Sequence, residues 1–382
     1  MRRTMIRWVL LGSGLMAAIA PGARAGGPVG VTAAEGEDKG ARQPQVAVDA
    51  KGTIYVAFGR DDLVRCAASR DGGKTFATTT VGSAGTLALG MRRGPRVAAA
   101  GDGVVVVTAI VGSQGKGKDG DLVAWRSADG GRNWSGPTRV SRVDGAAREG
   151  LHGMAAAPDG RVFCTWLDLR SGAMEIYGAR SADGGRTWEP DARVYRSPDG
   201  AVCTCCHPSA AFGPDGSLAV MWRNNLGGDR DLYYARSADG GRTFAPAEKL
   251  GHRAWKHNAC PMDGGSIAFD ASGRIASAWM RAGSVFTASP GEPERPLGPG
   301  VQAWTAAGPS GPVSVWLDRR PGMLLALLPS APDPVPLAER ANDPVVVSGP
   351  GGVGPVVAAW ESPGGPSGIA CQVLEPGPAP AR

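Results

Sequence analysis

Apolar and polar residues alternate in short stretches along most of this chain, each closed by Gly, Asp or Asn. PQVAVDA from Pro44, GTIYVAFG from Gly52, LVRCAAS from Leu63 and TFATTTV from Thr75 set the pattern. A period of two marks half-buried β-strands, and turn residues between them mark antiparallel hairpins. No helical period longer than a turn or two occurs. The order strand, turn, strand, turn, strand, turn, strand predicts a four-stranded antiparallel unit.

That unit repeats. SRDGGKTF from Ser69, SADGGRNW from Ser127, SADGGRTW from Ser181 and SADGGRTF from Ser237 place Asp71, Asp129, Asp183 and Asp239 at spacings of 58, 54 and 56 residues. A fixed period of this size means an array of similar supersecondary units. Each Asp can accept hydrogen bonds from its own turn, the paired glycines permit positive φ, and Phe76, Trp134, Trp188 and Phe244 can fold back as apolar plugs. Strand pairs also begin near Pro44, Pro95, His152, His207, Met262, Gln302 and Pro344, so seven units are counted, the last three without a box. Units of four strands repeated radially predict an all-β propeller, which limits exposed sheet edges by closing on itself.

At these boxes the chain resembles the sialidase superfamily of Asp-box propellers, whose signature is Ser-x-Asp-x-Gly-x-Thr-Trp/Phe. The resemblance is clear over residues 42–250 and weaker beyond, and sialidases in this family have six blades, against the seven units counted here. It implies an exo-sialidase-type glycoside hydrolase acting on glycoconjugates, with an arginine triad that clamps a substrate carboxylate. Arg42 of Arg42-Gln43-Pro44 stands where the family's first arginine belongs, Asp61 or Asp62 where its acid/base Asp belongs, and Arg281 and Arg319 or Arg320 are the remaining triad candidates. The family's late-chain Tyr nucleophile is missing, because the five tyrosines end at Tyr234. Other carboxylates remain as candidates for a different hydrolase, namely Asp168, Asp318, Glu149 and Glu361.

In a four-stranded up-and-down unit the boxed turns occupy one face, so function is expected on the other. Loops on that face hold all four histidines, His152, His207, His252 and His257, and four of the seven cysteines, Cys203, Cys205, Cys206 and Cys260. Three readings follow. A disulfide between Cys260 and one of the other three would staple consecutive units. Alternatively, Cys203, Cys205, Cys206, His207, His257 and Cys260, with His152, supply ligands for Cu(I) or Zn(II). Cys203-x-x-Cys206-His207 also satisfies the attachment pattern of covalent haem c. Trp255 beside His257 offers an aromatic lid for a glycan or other small ligand. Trp166-Leu-Asp168-Leu-Arg170 and Trp316-Leu-Asp318-Arg319-Arg320 echo one another, as ligand contacts or as Asp–Arg pairs pinning a loop.

Composition narrows the partners. With 59 Gly, 31 Pro and 42% apolar residues, the chain is turn-rich and globular. A basic start, an apolar stretch from Trp8 to Ala20 and Pro21-Gly22 before Ala23-Arg24-Ala25 predict a secretory signal cut after Ala25. That segment is shorter than the roughly 20 residues a bilayer requires. The expected organisation is a signal over 1–25, a short segment over 26–41, one propeller over 42–377 and a tail over 378–382, in a periplasmic or secreted protein. Formal charge is +6, but removing Arg2, Arg3, Arg7 and Arg24 leaves 37 basic against 35 acidic residues. Such a balance is no footprint for nucleic acid.

Overall fold

The computed structural model describes residues 26–115 and 117–377; the expected signal, its cut after Ala25 and the tail over 378–382 lie outside them. The described chain is all-β apart from one short 3-10 turn at Pro350–Gly352. Arg42–Val48, Ile54–Arg60, Leu63–Ser69 and Ala77–Gly82 pair in order as an antiparallel meander, the first unit. Three further sheets repeat this with four strands each, and the sheet around Val105–Gly112 carries a fifth short strand, Thr86–Leu87.

The last sheet departs from the expected separate units. It has seven strands, because the 14-residue strand Val335–Ser348 pairs with Gly322–Leu327 through its first half and with Val356–Glu361 through its second. Six hydrogen-bonded sheets therefore contain seven four-stranded runs. Whether six or seven blades are counted depends on reading this strand as one or two. Val29–Gly30 completes the sheet by pairing with Cys371 and Ala370.

The innermost strands form a closed circle. Arg42–Val48, Arg96–Ala99, His152–Ala156, Ser209–Phe212, Ser266–Phe269, Val301–Gly308 and the second half of Val335–Ser348 each touch the next, and the last touches the first. They enclose a channel of about 210 Å³ lined by small and aliphatic side chains, among them Val46, Val97, Ala155, Ala210, Ile267 and Val346. Outside this ring, successive sheets bury aliphatic and tryptophan side chains face to face, with Trp125, Trp166, Trp222, Trp316 and Trp360 almost fully enclosed.

The boxes work as their sequence implies. In the first, Ser69 Oγ donates to Asp71 Oδ1 at 2.8 Å and accepts from Gly73 N at 2.9 Å, while Thr75 donates to Asp71 through both its backbone N and its hydroxyl. Bonds from the Thr75 hydroxyl and backbone hold the Asp71 carboxyl far below its ordinary range. Ser127, Ser181 and Ser237 repeat the arrangement with their own Asp. Gly241 shows why the pair is glycine: its φ is 97° and a Cβ there would lie 2.6 Å from Phe163 of the preceding unit. Trp188 is buried between the second and third units, and the Phe244 ring lies 5.8 Å from Phe163. Each plug therefore wedges two units together.

Candidate functional site

The strand order sends the loops between units to the face opposite the boxes, and three structures meet there. The first is a polar neck at the entry of the inner strands. Gln43, Arg96, His152, His207, Asp263 and Gln302 stand within three residues of successive inner-strand starts, and Asp343 stands where the second half of Val335–Ser348 begins its pairing; each is no more than 4% exposed. Gln43, Gln302 and Asp343 adopt φ of 57°, 57° and 44°. Ladder irregularities beside them turn these side chains inward.

Asp343 accepts 2.7 Å bonds from the side-chain amides of both Gln43 and Gln302. Gln302 N donates to Asp263. Arg92 crosses the neck, donating to the carbonyls of Pro344 and Gln302, each at 2.6 Å. Arg96 donates to the carbonyls of Arg92 and His152. Burial lowers both guanidinium pKa values, Arg96 to about 9. His207 stacks on Trp304 at 5.3 Å, and both of its ring nitrogens are buried. Burial, reinforced by Arg92 and Arg96, keeps His207 well below its ordinary range and therefore neutral.

The second structure is a polar pocket beside the neck, lined by Glu35, Arg42, Gln43, Arg320, Asp343 and Glu361. Gln43 donates to Glu361 from its backbone N at 2.9 Å and from its side chain at 3.1 Å, so one amide bridges two carboxyls. Burial, with the Asp343 charge beside it, raises Glu361. Arg320 lies 3.4 Å from Asp343.

The third is the cysteine cluster. Cys205 and Cys260 form a disulfide joining the loops before the fourth and fifth units. Cys203 and Cys206 are free and buried, with their Sγ atoms 3.4 Å apart; Cys205 Sγ lies 3.7 Å from Cys203 and 3.9 Å from Cys206. A hydrogen bond shared with Cys206 draws the Cys203 thiol down to about 6, whereas burial pushes Cys206 up. Arg223, itself buried, accepts Cys203 N through its carbonyl and donates from its guanidinium to the carbonyls of Asp263, Arg230 and Met280. Arg230 reaches the His257 carbonyl at 3.2 Å, which knits the loops together. The other free cysteines, Cys66, Cys164 and Cys371, are buried in separate sheets, and burial pushes Cys66 and Cys371 up to about 12.

Several expectations need correcting. The three clustered sulfurs of Cys203, Cys205 and Cys206 do not gather histidines: among the described residues no imidazole nitrogen joins them. His207 faces Trp304, His257 stacks on Trp255 at 4.4 Å, and His152 lies 3.1 Å from the Thr108 hydroxyl. A haem does not fit Cys203, Cys206 and His207, since all three are buried against protein and the His207 ring is covered by Trp304.

The arginine triad does not assemble either. Arg42 and Arg320 share the polar pocket, but Arg281 is paired with Glu294 at 2.7 Å over Phe286, and the Arg319 side chain is 79% exposed. Asp61 is exposed beside Arg60, and Asp62 accepts Leu87 N, which ties its loop to the next sheet. Asp168 is fully buried and receives Trp166 Nε1, the Arg170 backbone N and two bonds from the Arg170 guanidinium, which also holds Asp191. Asp318 accepts the backbone N–H groups of Arg319 and Met323. Both Trp-Leu-Asp segments therefore pin loops.

Arg92, Arg96, Asp263 and Asp343 were missed by sequence reasoning. A signal was available: these residues lie at or within a few positions of the predicted strand starts at Pro95, Met262 and Pro344, and a polar residue recurring there points to the channel.

Residues 91–262 match the BNR repeat-like domain. No curated protein matches the sequence. A protein of unknown function from Dyadobacter fermentans superposes with a TM-score of 0.54 at 19% identity, covering 93% of this chain and 100% of its own. The α-L-arabinanase of Penicillium chrysogenum, complexed with arabinobiose, gives 0.52 at 14% identity over 92% and 98%. A Hadza microbial sialidase gives 0.50 at 15% identity over 84% and 76%. Likeness at this level concerns the fold, onto which different sites are grafted. The chain is an all-β propeller that resembles the sialidase superfamily of Asp-box, or BNR-repeat, proteins.

Proposed function

We propose that this is an exported Asp-box propeller that binds a soft metal ion, Cu(I) or Zn(II), through the cysteine cluster on the face opposite its boxes. One observation carries the reading: three sulfurs stand 3.4, 3.7 and 3.9 Å apart. These separations bracket the ~3.8 Å edge of a tetrahedron with metal–sulfur bonds of about 2.3 Å. Cys203 and Cys206 supply two thiolates, and Cys205 and Cys260 become available when their bond is reduced. Thiolates select soft ions, and the buried Arg223 beside Cys203 offsets their charge.

Elemental analysis and titration with Zn(II), or with Cu(I) under reducing conditions, test it. One equivalent should bind and be lost in Cys203→Ser and Cys206→Ser, while Cys371→Ser binds normally. Absence of uptake by the fully reduced, folded protein would defeat the reading.

A second reading rests on the bridged pair Asp343 and Glu361 flanked by Arg42 and Arg320. A carboxyl raised by burial and by a neighbouring carboxylate is suited to general acid catalysis, and solved neighbours of this fold include an arabinanase and a sialidase by name. Turnover of fluorogenic arabinosides or sialosides, abolished in Glu361→Gln and Arg42→Ala, would establish a glycoside hydrolase. A lack of turnover across both classes would remove this reading.

A further inference from the structure

The four clustered cysteines differ in depth and oxidation state. Cys203 and Cys206 are free, with 0% and 1% exposure. Cys260 is exposed and Cys205 half-buried, and these two are bonded. Cys203 Sγ touches both its buried partner, at 3.4 Å, and the near sulfur of the disulfide, at 3.7 Å. Cys203 and Cys206 also stand in Cys-x-x-Cys spacing, a span that closes readily into a redox-active disulfide. The remaining free cysteines, Cys66, Cys164 and Cys371, are buried one to a sheet, apart from this cluster.

We propose that this cluster is a thiol–disulfide relay which carries two electrons from a buried dithiol to the surface. This inference uses the cysteines of the preceding reading but does not depend on metal binding. The Cys203 thiolate attacks Cys205 Sγ; the Cys203–Cys205 bond forms, the Cys205–Cys260 bond breaks, and Cys260 leaves with the electron pair and takes a proton from water. The Cys206 thiolate then attacks Cys203 Sγ, the Cys203–Cys206 bond forms, and Cys205 leaves and is protonated. One disulfide is lost and one gained, and two protons pass from the buried pair to the outer pair. Attack by a thiolate through a mixed disulfide is the general route of such exchange.

The exchanged form presents Cys205 and Cys260 as a surface dithiol. Its substrate class is an accessible disulfide on another molecule. That disulfide is reduced to two thiols as Cys205–Cys260 re-forms, and a dithiol donor is then required to reduce Cys203–Cys206. The loop over 250–265 makes this accessible, because it holds no strand and its Cys260 end is open to solvent.

The test is irreversible labelling of native protein with a bulky maleimide, in the presence of a chelator, followed by peptide mapping. In the wild type, Cys260 should become labelled as a Cys203–Cys206 bond accumulates. Cys206→Ser should instead trap a Cys203–Cys205 bond with Cys260 labelled. Cys203→Ser should slow Cys260 labelling at least tenfold. If wild-type Cys260 remains unlabelled in protein whose denatured form yields the Cys203 and Cys206 thiols, the relay is overturned. That result comes from the unmutated chain and does not touch metal uptake, which is measured separately on the reduced protein. Conversely, labelling with the exchanged bond, in protein that takes up no metal, would leave the relay standing and the metal reading refuted.

Discussion

Gln43 donates its side-chain amide to Asp343 Oδ2 at 2.7 Å across 300 residues of sequence, and that bond joins the first inner strand to the last. Replacement by Leu leaves a buried carboxylate oxygen short of a donor, a change that costs about 1–3 kcal/mol. Gln43→Leu should therefore lower the urea midpoint with an unchanged slope. Gln302→Leu should do the same, and the double variant should fall short of the sum because both amides serve Asp343. A loss within the roughly 0.5 kcal/mol of ordinary surface changes would mean that the neck does not hold the ring.

Trp188 fills the seam between the second and third units at 8% exposure. Trp188→Ala should destabilise by about 3–5 kcal/mol, read as a drop in melting temperature. Trp188→Phe, which retains most of the apolar volume, should recover more than half.

The disulfide between Cys205 and Cys260 closes a span of 55 residues. Cross-links of this kind contribute about 2–4 kcal/mol, chiefly by restricting the unfolded chain. Cys260→Ala should lose that amount in equilibrium unfolding under non-reducing conditions. With a reductant present, wild type and variant should converge.

Glu361 gives stability a pH dependence of known sign. Its carboxyl is raised above an ordinary 4.5 by burial and by Asp343, so between that value and the raised one the folded state holds a proton that the unfolded chain has released. Unfolding free energy from this group therefore falls as pH rises through the interval. Glu361→Gln should flatten that part of the pH profile, whereas an unchanged slope would assign it to other groups.

The repeat and its strands were legible because each is written locally. A box such as Ser181 to Trp188 contains its own donors, acceptors and plug, and alternation along Ile54–Arg60 needs no distant partner to be recognised. The gathering of Cys203 and Cys260 on one face followed from strand order. The histidines were misjudged because loop membership fixes a face but not a direction: His207 turns to Trp304 and His257 to Trp255. Arg92 and Asp343 were overlooked for the converse reason, although both lie within a few positions of predicted strand starts. Charged residues are expected in solvent, and only ring closure reveals that these two face a common axis. The shared strand Val335–Ser348 hides its double role because Pro344 within it reads as a new start.

That continuous strand makes the ring mechanically uneven. Other neighbouring units are joined along the backbone by loops, one pair also by the Cys205–Cys260 disulfide, or by a lone glycine between Arg295–Pro299 and Val301–Gly308. The final two share one backbone strand, bent at Asp343 where its two halves meet, so loosening one of them should loosen the other. Slow amide exchange should extend without interruption along the backbone of 345–347, and thermal opening should begin at a looser joint elsewhere in the circle.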